Sequence, residues 1–307
     1  MNIFFYILLG LGVYLFLNDG NTNVDLRIDS YLLLSFVIFL KLINFFIFNQ
    51  VHLNIFNLFD LNVSKYDNFE LTFKGYLGNF FGFGKSGTGY KAFFLKNKYN
   101  FSFIKFLSFY LFLQTLTLFF TSLISIVFII FKFSNELENY YALLFLLAMV
   151  LSITILINFI SKFFSKIEII KNSLFFNKIR LTLEELSFLT NNLSFFNRNF
   201  KNILIYQVFI QISLFLQIYL IGSSIGIEIK LLNNFIYNVV SQLSTFISIT
   251  PNSIGLREIL LLISNNYIGL EDSKIINIAI LDRITDFSAL FIFVFIYVMR
   301  KIYLRIR

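Results

Sequence analysis

The chain has 307 residues, of which 58% are hydrophobic and only 14% charged, and its formal net charge is +8. Soluble domains average about 45–50% apolar and about 25% charged, so the composition excludes a soluble domain with an anchor and points to a polytopic, all-helical membrane protein. With no cysteine and a single histidine, His52, disulfides, iron–sulfur clusters, thiolate catalysis and a His-based metal site are excluded, and no metal or cofactor is expected.

The positive charge fits basic cytoplasmic loops facing anionic lipid headgroups, and nucleic acid is not an expected partner. Tryptophan is absent, so interfacial anchoring falls to the 16 tyrosines and the lysines. The Lys/Asn/Ile/Phe bias suggests an AT-rich bacterial genome.

A first span is read over Ile3–Leu17, kept as a span because Met1-Asn2 carries no basic residue and no small-x-small cleavage site follows. A second covers Tyr31–Phe48. Residues 50–100 form a longer, lysine-bearing polar stretch. A third span lies within Phe101–Phe131 and a fourth over Tyr140–Ile160. Residues 161–202 are again basic, with Thr182–Leu189 patterned as a short surface helix. A fifth span covers Ile203–Ile221. Two short apolar pieces, Phe235–Ile249 and Ile254–Ile263, flank the only proline, Pro251, and a last span covers Ile275–Met299.

Basic residues set the orientation. The loops at 18–30, 132–139 and 222–232 carry one Lys or Arg each and lie outside. The two lysine-rich stretches and the tail Arg300, Lys301, Arg305 and Arg307 lie inside. Both termini are then inside. That parity holds if the pieces around Pro251 form a re-entrant hairpin entering from outside, since each arm is short for a crossing of about twenty residues. The expectation is about six full spans plus broken or re-entrant helices, in one integral membrane domain over residues 1–307.

The first half contains a comparable interruption, Gly82 to Ala92. Aligning Lys91 with Arg257 sets Gly89 opposite Gly255, and the two units enter from opposite sides. That pattern suggests an inverted repeat, with halves of about 1–160 and 161–307, and broken elements meeting near the midplane. Gly84, Gly87, Gly89, Pro251 and Gly255 are read as the structural breaks. Gly82-x-Gly84-x-x-Gly87 matches a dinucleotide fingerprint only formally, because no strand precedes it. These glycines read instead as a bend and a close helix contact.

Asp282 and Asp286 stand four apart in the last span, on one helical face, with Arg283 in i,i+3 reach of Asp286. Charges at that depth are costly and mark either a packing ion pair or a functional lining. The spacing also matches half of a prenyltransferase magnesium site, but the second Asp-rich motif is missing. His52 is read as interfacial, and Gln207, Gln211, Gln217 and Gln242 as interhelical hydrogen-bond formers.

The stretch Ile249-Thr250-Pro251-Asn252-Ser253-Ile254-Gly255-Leu256-Arg257-Glu258-Ile259-Leu260-Leu261-Leu262 resembles the late motif of the lysylphosphatidylglycerol synthase transmembrane-region family, a flippase-like membrane domain. Leu281-Asp282-Arg283-Ile284-Thr285-Asp286 continues the resemblance, and Gly84–Leu95 resembles the early motif, with Lys91 where arginine is usual. The resemblance is to the membrane domain, so synthase activity is not implied. It implies translocation of a lipid or lipid-linked saccharide across the cytoplasmic (inner) membrane of a bacterium. Lys91 and Arg257 would then attract phosphate, and Glu258, Asp282, Arg283 and Asp286 would balance charge in the headgroup site. No catalytic residue is expected. The alternatives are a membrane-embedded transferase acting on a polyprenyl or phospholipid substrate, or a scaffold in glycan assembly.

Overall fold

The computed structural model describes residues 27–82, 85–132, 197–247 and 250–306, with residues 148, 181, 182, 184 and 185 besides. The expected spans over Ile3–Leu17 and Tyr140–Ile160, most of the surface helix at 182–189, and Gly84 lie outside the described residues. Every regular element among the described residues is helical. In chain order they are α1 (Tyr31–Leu58), α2 (Lys65–Phe81), α3 (Ser86–Tyr99), α4 (Phe103–Lys132), α5 (Arg198–Ser224), α6 (Leu231–Ile247), a 3₁₀ turn at Pro251–Ser253, α7 (Leu256–Ile263), α8 (Asn265–Ile268) and α9 (Asp272–Ile306).

Among the described residues, three helical stretches are long and apolar enough to cross a membrane: α1, the Phe103–Val127 part of α4, and α5. Their faces are arranged for lipid. On α5, Ile205, Phe209, Ile212, Leu216 and Tyr219 are exposed at helical spacing, while Gln207, Gln211 and Gln217 are buried. Apolar groups outward and amides inward is the reverse of a soluble helix, and is what a solvent without hydrogen-bonding capacity selects. α1 runs ten residues past the expected end of its span, from Phe48 to Leu58. The residues that lower its hydropathy there, Asn49 and His52, share a face with Phe56 and are buried with it.

The chain divides into two compact units, one holding the described residues up to Ile43 and from Ser213 onward, the other Asn44–Ile212. In the Asn44–Ile212 unit, α2 and α3 pack closely as a hairpin. Ser64 caps α2, its Oγ accepting from the Asp67 N–H at 3.1 Å. Asp67 in turn takes hydrogen bonds from Tyr99 and, at 2.6 Å, from Lys98 on α3. Burial alone would raise the Asp67 carboxyl, but the hydrogen bonds from Lys98, Tyr99 and Ser64 and the Lys98 charge hold it below the usual carboxylate range. At the hairpin's other end Ser86 Oγ donates to Gly78 O at 2.7 Å, and the Thr88 N–H donates to Asn79 Oδ1 at 3.1 Å.

Gly87 sits where those two helices touch: a Cβ there would strike the Gly75 carbonyl and come to 2.6 Å from Asn79 N. Gly89, two residues on, faces open space. Gly89→Ala is therefore expected to raise stability by up to about 1 kcal/mol through helix propensity, read as an unchanged or higher thermal midpoint of the detergent-solubilised protein.

The unit containing Ser213 onward holds α6 to α9. α6 and α7, the arms on either side of the Pro251 turn, pack against one another, and α7 also packs on α9. The turn is sharp. Asn252, Ser253 and Gly255 take positive φ values of 46°, 58° and 83°, a conformation that glycine enters freely and that other residues adopt uncommonly, asparagine more readily than most.

Candidate functional site

In an apolar chain the charged side chains that fold inward define the site. α7 delivers Arg257 and Glu258 from its first turn, immediately after the Pro251 break. α9 presents Asp282, Arg283 and Asp286 about one third of the way along its length. The sixth charge is Lys41 of α1, in the same unit.

The pairing is crosswise. Arg257 Nη2 donates to Asp282 Oδ2. Arg283 turns its Nε and Nη2 onto Glu258 Oε1, at 3.2 and 3.1 Å. Two guanidinium–carboxylate bridges thus tie α7 to α9. The neighbours Arg257 and Glu258 come no closer than 4.0 Å, because side chains at i and i+1 diverge around a helix.

Arg283 is also not placed as its i,i+3 spacing to Asp286 suggested. Its Nη1 donates to the Asn252 carbonyl at 2.6 Å, so the break in the backbone supplies an acceptor that draws it away. Asp286 goes to Lys41 instead. The Lys41 ammonium lies 2.6 Å from Asp286 Oδ1, 2.7 Å from Asp282 Oδ1 and 2.8 Å from the Asp282 carbonyl. The i,i+4 aspartates therefore share one cation.

Three cations and three carboxylates give the network no net charge. Arg257, Asp282 and Lys41 have side chains 9%, 8% and 9% exposed. Buried charges of this kind are tolerated when each is paired and further hydrogen-bonded.

Of the expected site residues, Arg257, Glu258, Asp282, Arg283 and Asp286 are thus brought together. Lys91 lies on α3 in the other unit, its aliphatic stem running across Gly75, where a Cβ would collide with it. Gly255, with open space where its Cβ would lie, is required by its φ of 83° rather than by packing, and its N–H donates to Glu258 Oε2 at 2.8 Å. Pro251 opens the 3₁₀ turn and is buried.

Lys41 is the member that sequence reasoning passed over. Its signal was available: it is the only charged residue within Tyr31–Phe48. His52, expected at an interface, is instead buried, with Nδ1 3.1 Å from Thr72 Oγ1 and its ring beside Phe56 and Phe109. Thr72 Oγ1 donates onward to Asn49 Oδ1 at 3.1 Å, so His52 serves to join α1 to α2. Among the described residues no group of three or more His, Cys, Asp or Glu side chains is disposed to hold a metal ion.

A family model described as the lysylphosphatidylglycerol synthase TM region matches residues 3–294. No curated protein and no solved structure matches the chain.

Proposed function

The chain belongs to the lysylphosphatidylglycerol synthase TM region family, and on that premise we propose that it translocates a lipid or lipid-linked saccharide across a bacterial cytoplasmic membrane. The family is a membrane domain, and the lipid-exposed apolar faces of α1 and α5 agree with it.

The observation that carries the reading is the neutral six-charge network at a broken hairpin. A network whose charges cancel can be inserted into lipid at tolerable cost. A zwitterionic or anionic headgroup can then exchange with internal partners. Its phosphate would compete with Asp282 or Glu258 for a guanidinium, and any cationic group would compete with Lys41 for Asp286. Each ion pair broken in the protein is replaced by one with the headgroup, while the acyl or prenyl tails stay in lipid.

In this reading both termini face the cytoplasm, about six spans cross the bilayer, and the α2–α3 and α6–α7 hairpins are the broken elements of an inverted repeat. Lys91 is the basic residue of the first and Arg257 of the second. Movement is downhill or ion-coupled.

The test is reconstitution into liposomes carrying a trace of fluorescent phosphatidylglycerol or labelled polyprenyl phosphate, with an impermeant quencher reporting sidedness. Label is expected to cross much faster than in protein-free liposomes. Lys41→Met should slow it about tenfold or more, the effect of about 1.4 kcal/mol on a barrier. Crossing no faster than in empty liposomes for every lipid tried would sink the proposal. A covalently altered lipid formed only with added divalent metal would establish the transferase alternative. Normal glycan assembly with Arg257 and Asp282 both replaced would favour a scaffold.

A further inference from the structure

The Asn44–Ile212 unit contains a cavity of about 360 Å³ at the first turn of α4. Ser102, Ile104 and Lys105 line it from α4 and the residue that caps it, and Leu181, Glu184 and Glu185 line it from a second segment. A buried bond ties the two together, Ser108 Oγ donating to the Thr182 carbonyl at 2.9 Å. The volume is that of a small-molecule site, about 300–1,000 Å³. None of these residues belongs to the six-charge network.

The cavity carries charges of both signs that do not satisfy one another. Lys105 and Glu185 are each half-buried, and among the described residues neither side chain has a hydrogen bond or an ion pair. Glu184 is engaged in a contact of its own. By contrast, Lys74 pairs with Glu70, Lys98 with Asp67, and Lys96 lies over the Phe103 ring.

The Lys105 end has a second source of positive potential. A helix leaves its first N–H groups without an intrahelical partner. Ser102 Oγ accepts from the Lys105 N–H at 3.2 Å, and those of Phe103 and Ile104 remain at the positive end of the helix dipole. The cavity therefore favours an anion at Lys105 and a cation at Glu185, which a single zwitterion supplies.

Its depth says what kind of zwitterion. Phe103 begins the stretch Phe103–Val127, which is long and apolar enough to cross a membrane, so the first turn of α4 lies at the level of the lipid headgroups. On the same turns Phe103 and Leu107 are 47% and 46% exposed, an apolar surface along which an acyl chain can lie.

We propose that this cavity holds the headgroup of a phosphatidylethanolamine, its phosphate on Lys105 and the first turn of α4, its ammonium on Glu185. A primary ammonium is specified because it offers the carboxylate N–H donors, whereas the quaternary ammonium of phosphatidylcholine has none. The bound molecule is a resident lipid, in a site with no residue in common with the network.

The proposal is tested on the full chain, delipidated in dodecyl maltoside, by following thermal midpoints against dihexanoyl phosphatidylethanolamine, dihexanoyl phosphatidylcholine and glycerophosphoethanolamine. The ethanolamine lipid is expected to bind about tenfold more tightly than the choline lipid, the effect of a hydrogen bond between charged groups. Stabilisation by glycerophosphoethanolamine at similar concentrations would overturn the assignment to a lipid, since the chains would then contribute nothing.

Two variants separate the ends of the site. Glu185→Gln should lower affinity for the ethanolamine lipid to that for the choline lipid and leave the latter unchanged. Lys105→Gln should weaken both about tenfold, because both carry the phosphate. Lys65→Gln, at an exposed lysine on α2, should do neither. A purely structural role for Lys105 or Glu185 would lower the ligand-free midpoint and leave the ratio of the two lipids as it was. Equal affinity for the two lipids in the unaltered protein overturns the proposal, as does a preference for ethanolamine that survives Glu185→Gln.

Discussion

Asp282→Asn is expected to destabilise the protein by about 3–5 kcal/mol, the cost of breaking a buried ion pair by removing one partner. Asp282 accepts from two cations at once, Lys41 at 2.7 Å and Arg257. An amide in its place leaves both cations buried, with only Asp286 and Glu258 to balance them and Arg283. The parity of the network makes the prediction sharper than a single substitution could. Lys41→Met leaves one negative charge in excess and exposes the same weakness from the other side.

The double variant Lys41→Met/Asp286→Leu removes one charge of each sign and leaves the Arg257–Asp282 and Arg283–Glu258 bridges whole. It should recover most of the stability lost in Lys41→Met, since exchanging a complete buried pair for apolar groups is often neutral or better. Thermal or denaturant unfolding in detergent measures all three. A double variant less stable than Lys41→Met, or a neutral Asp282→Asn, would show that the charges are individually solvated rather than mutually held. The same double variant should remain slow in translocation, which separates the network's part in folding from its part in exchange with a headgroup.

The break at Pro251 and the charges of α9 were legible in the sequence because each contradicts its surroundings: one proline and three close charges in long apolar runs. Their pairing was not legible. The i,i+3 geometry on α9 favoured Arg283 with Asp286, but a helix rule knows nothing of an acceptor from another segment, and the Asn252 carbonyl outcompetes it. Lys41 stands 241 residues from Asp282, so only tertiary packing could join them.

The α2–α3 hairpin was hidden for a different reason. Its residues are too polar to read as spans, and the interruption between the helices drew attention to the glycines as bends. Gly87 turns out to be a contact and Gly89 faces open space, a distinction fixed by which side of α3 meets α2. That face cannot be read from glycine spacing alone.

Gly87→Ala is expected to destabilise the protein by about 3 kcal/mol, at the upper end for a small-to-large change in a packed contact. The new methyl would overlap the Gly75 carbonyl and stand 2.6 Å from Asn79 N, both backbone atoms that no rotamer change can move aside. Nor can α2 give way freely, because a Cβ on Gly78 would itself lie 2.6 Å from the Gly87 Cα, so the two backbones already touch. Close approach of this kind supplies helix association in lipid, where the hydrophobic effect offers little.

Separation of the helices would stretch the bonds from Ser86 to Gly78 O and from the Thr88 N–H to Asn79 Oδ1, and those ties hold the hairpin at its tight end. Helix propensity acts in the opposite direction, and Gly89→Ala on the same helix measures that term without the contact. The difference in thermal midpoint between Gly87→Ala and Gly89→Ala therefore isolates the packing. Gly87→Val, with two more carbons and a β-branch, should be worse than Gly87→Ala. Equal midpoints for Gly87→Ala and Gly89→Ala would mean that α2 and α3 are not in backbone contact. The stem of Lys91, which crosses Gly75 in the same hairpin, would then have lost the surface that positions it.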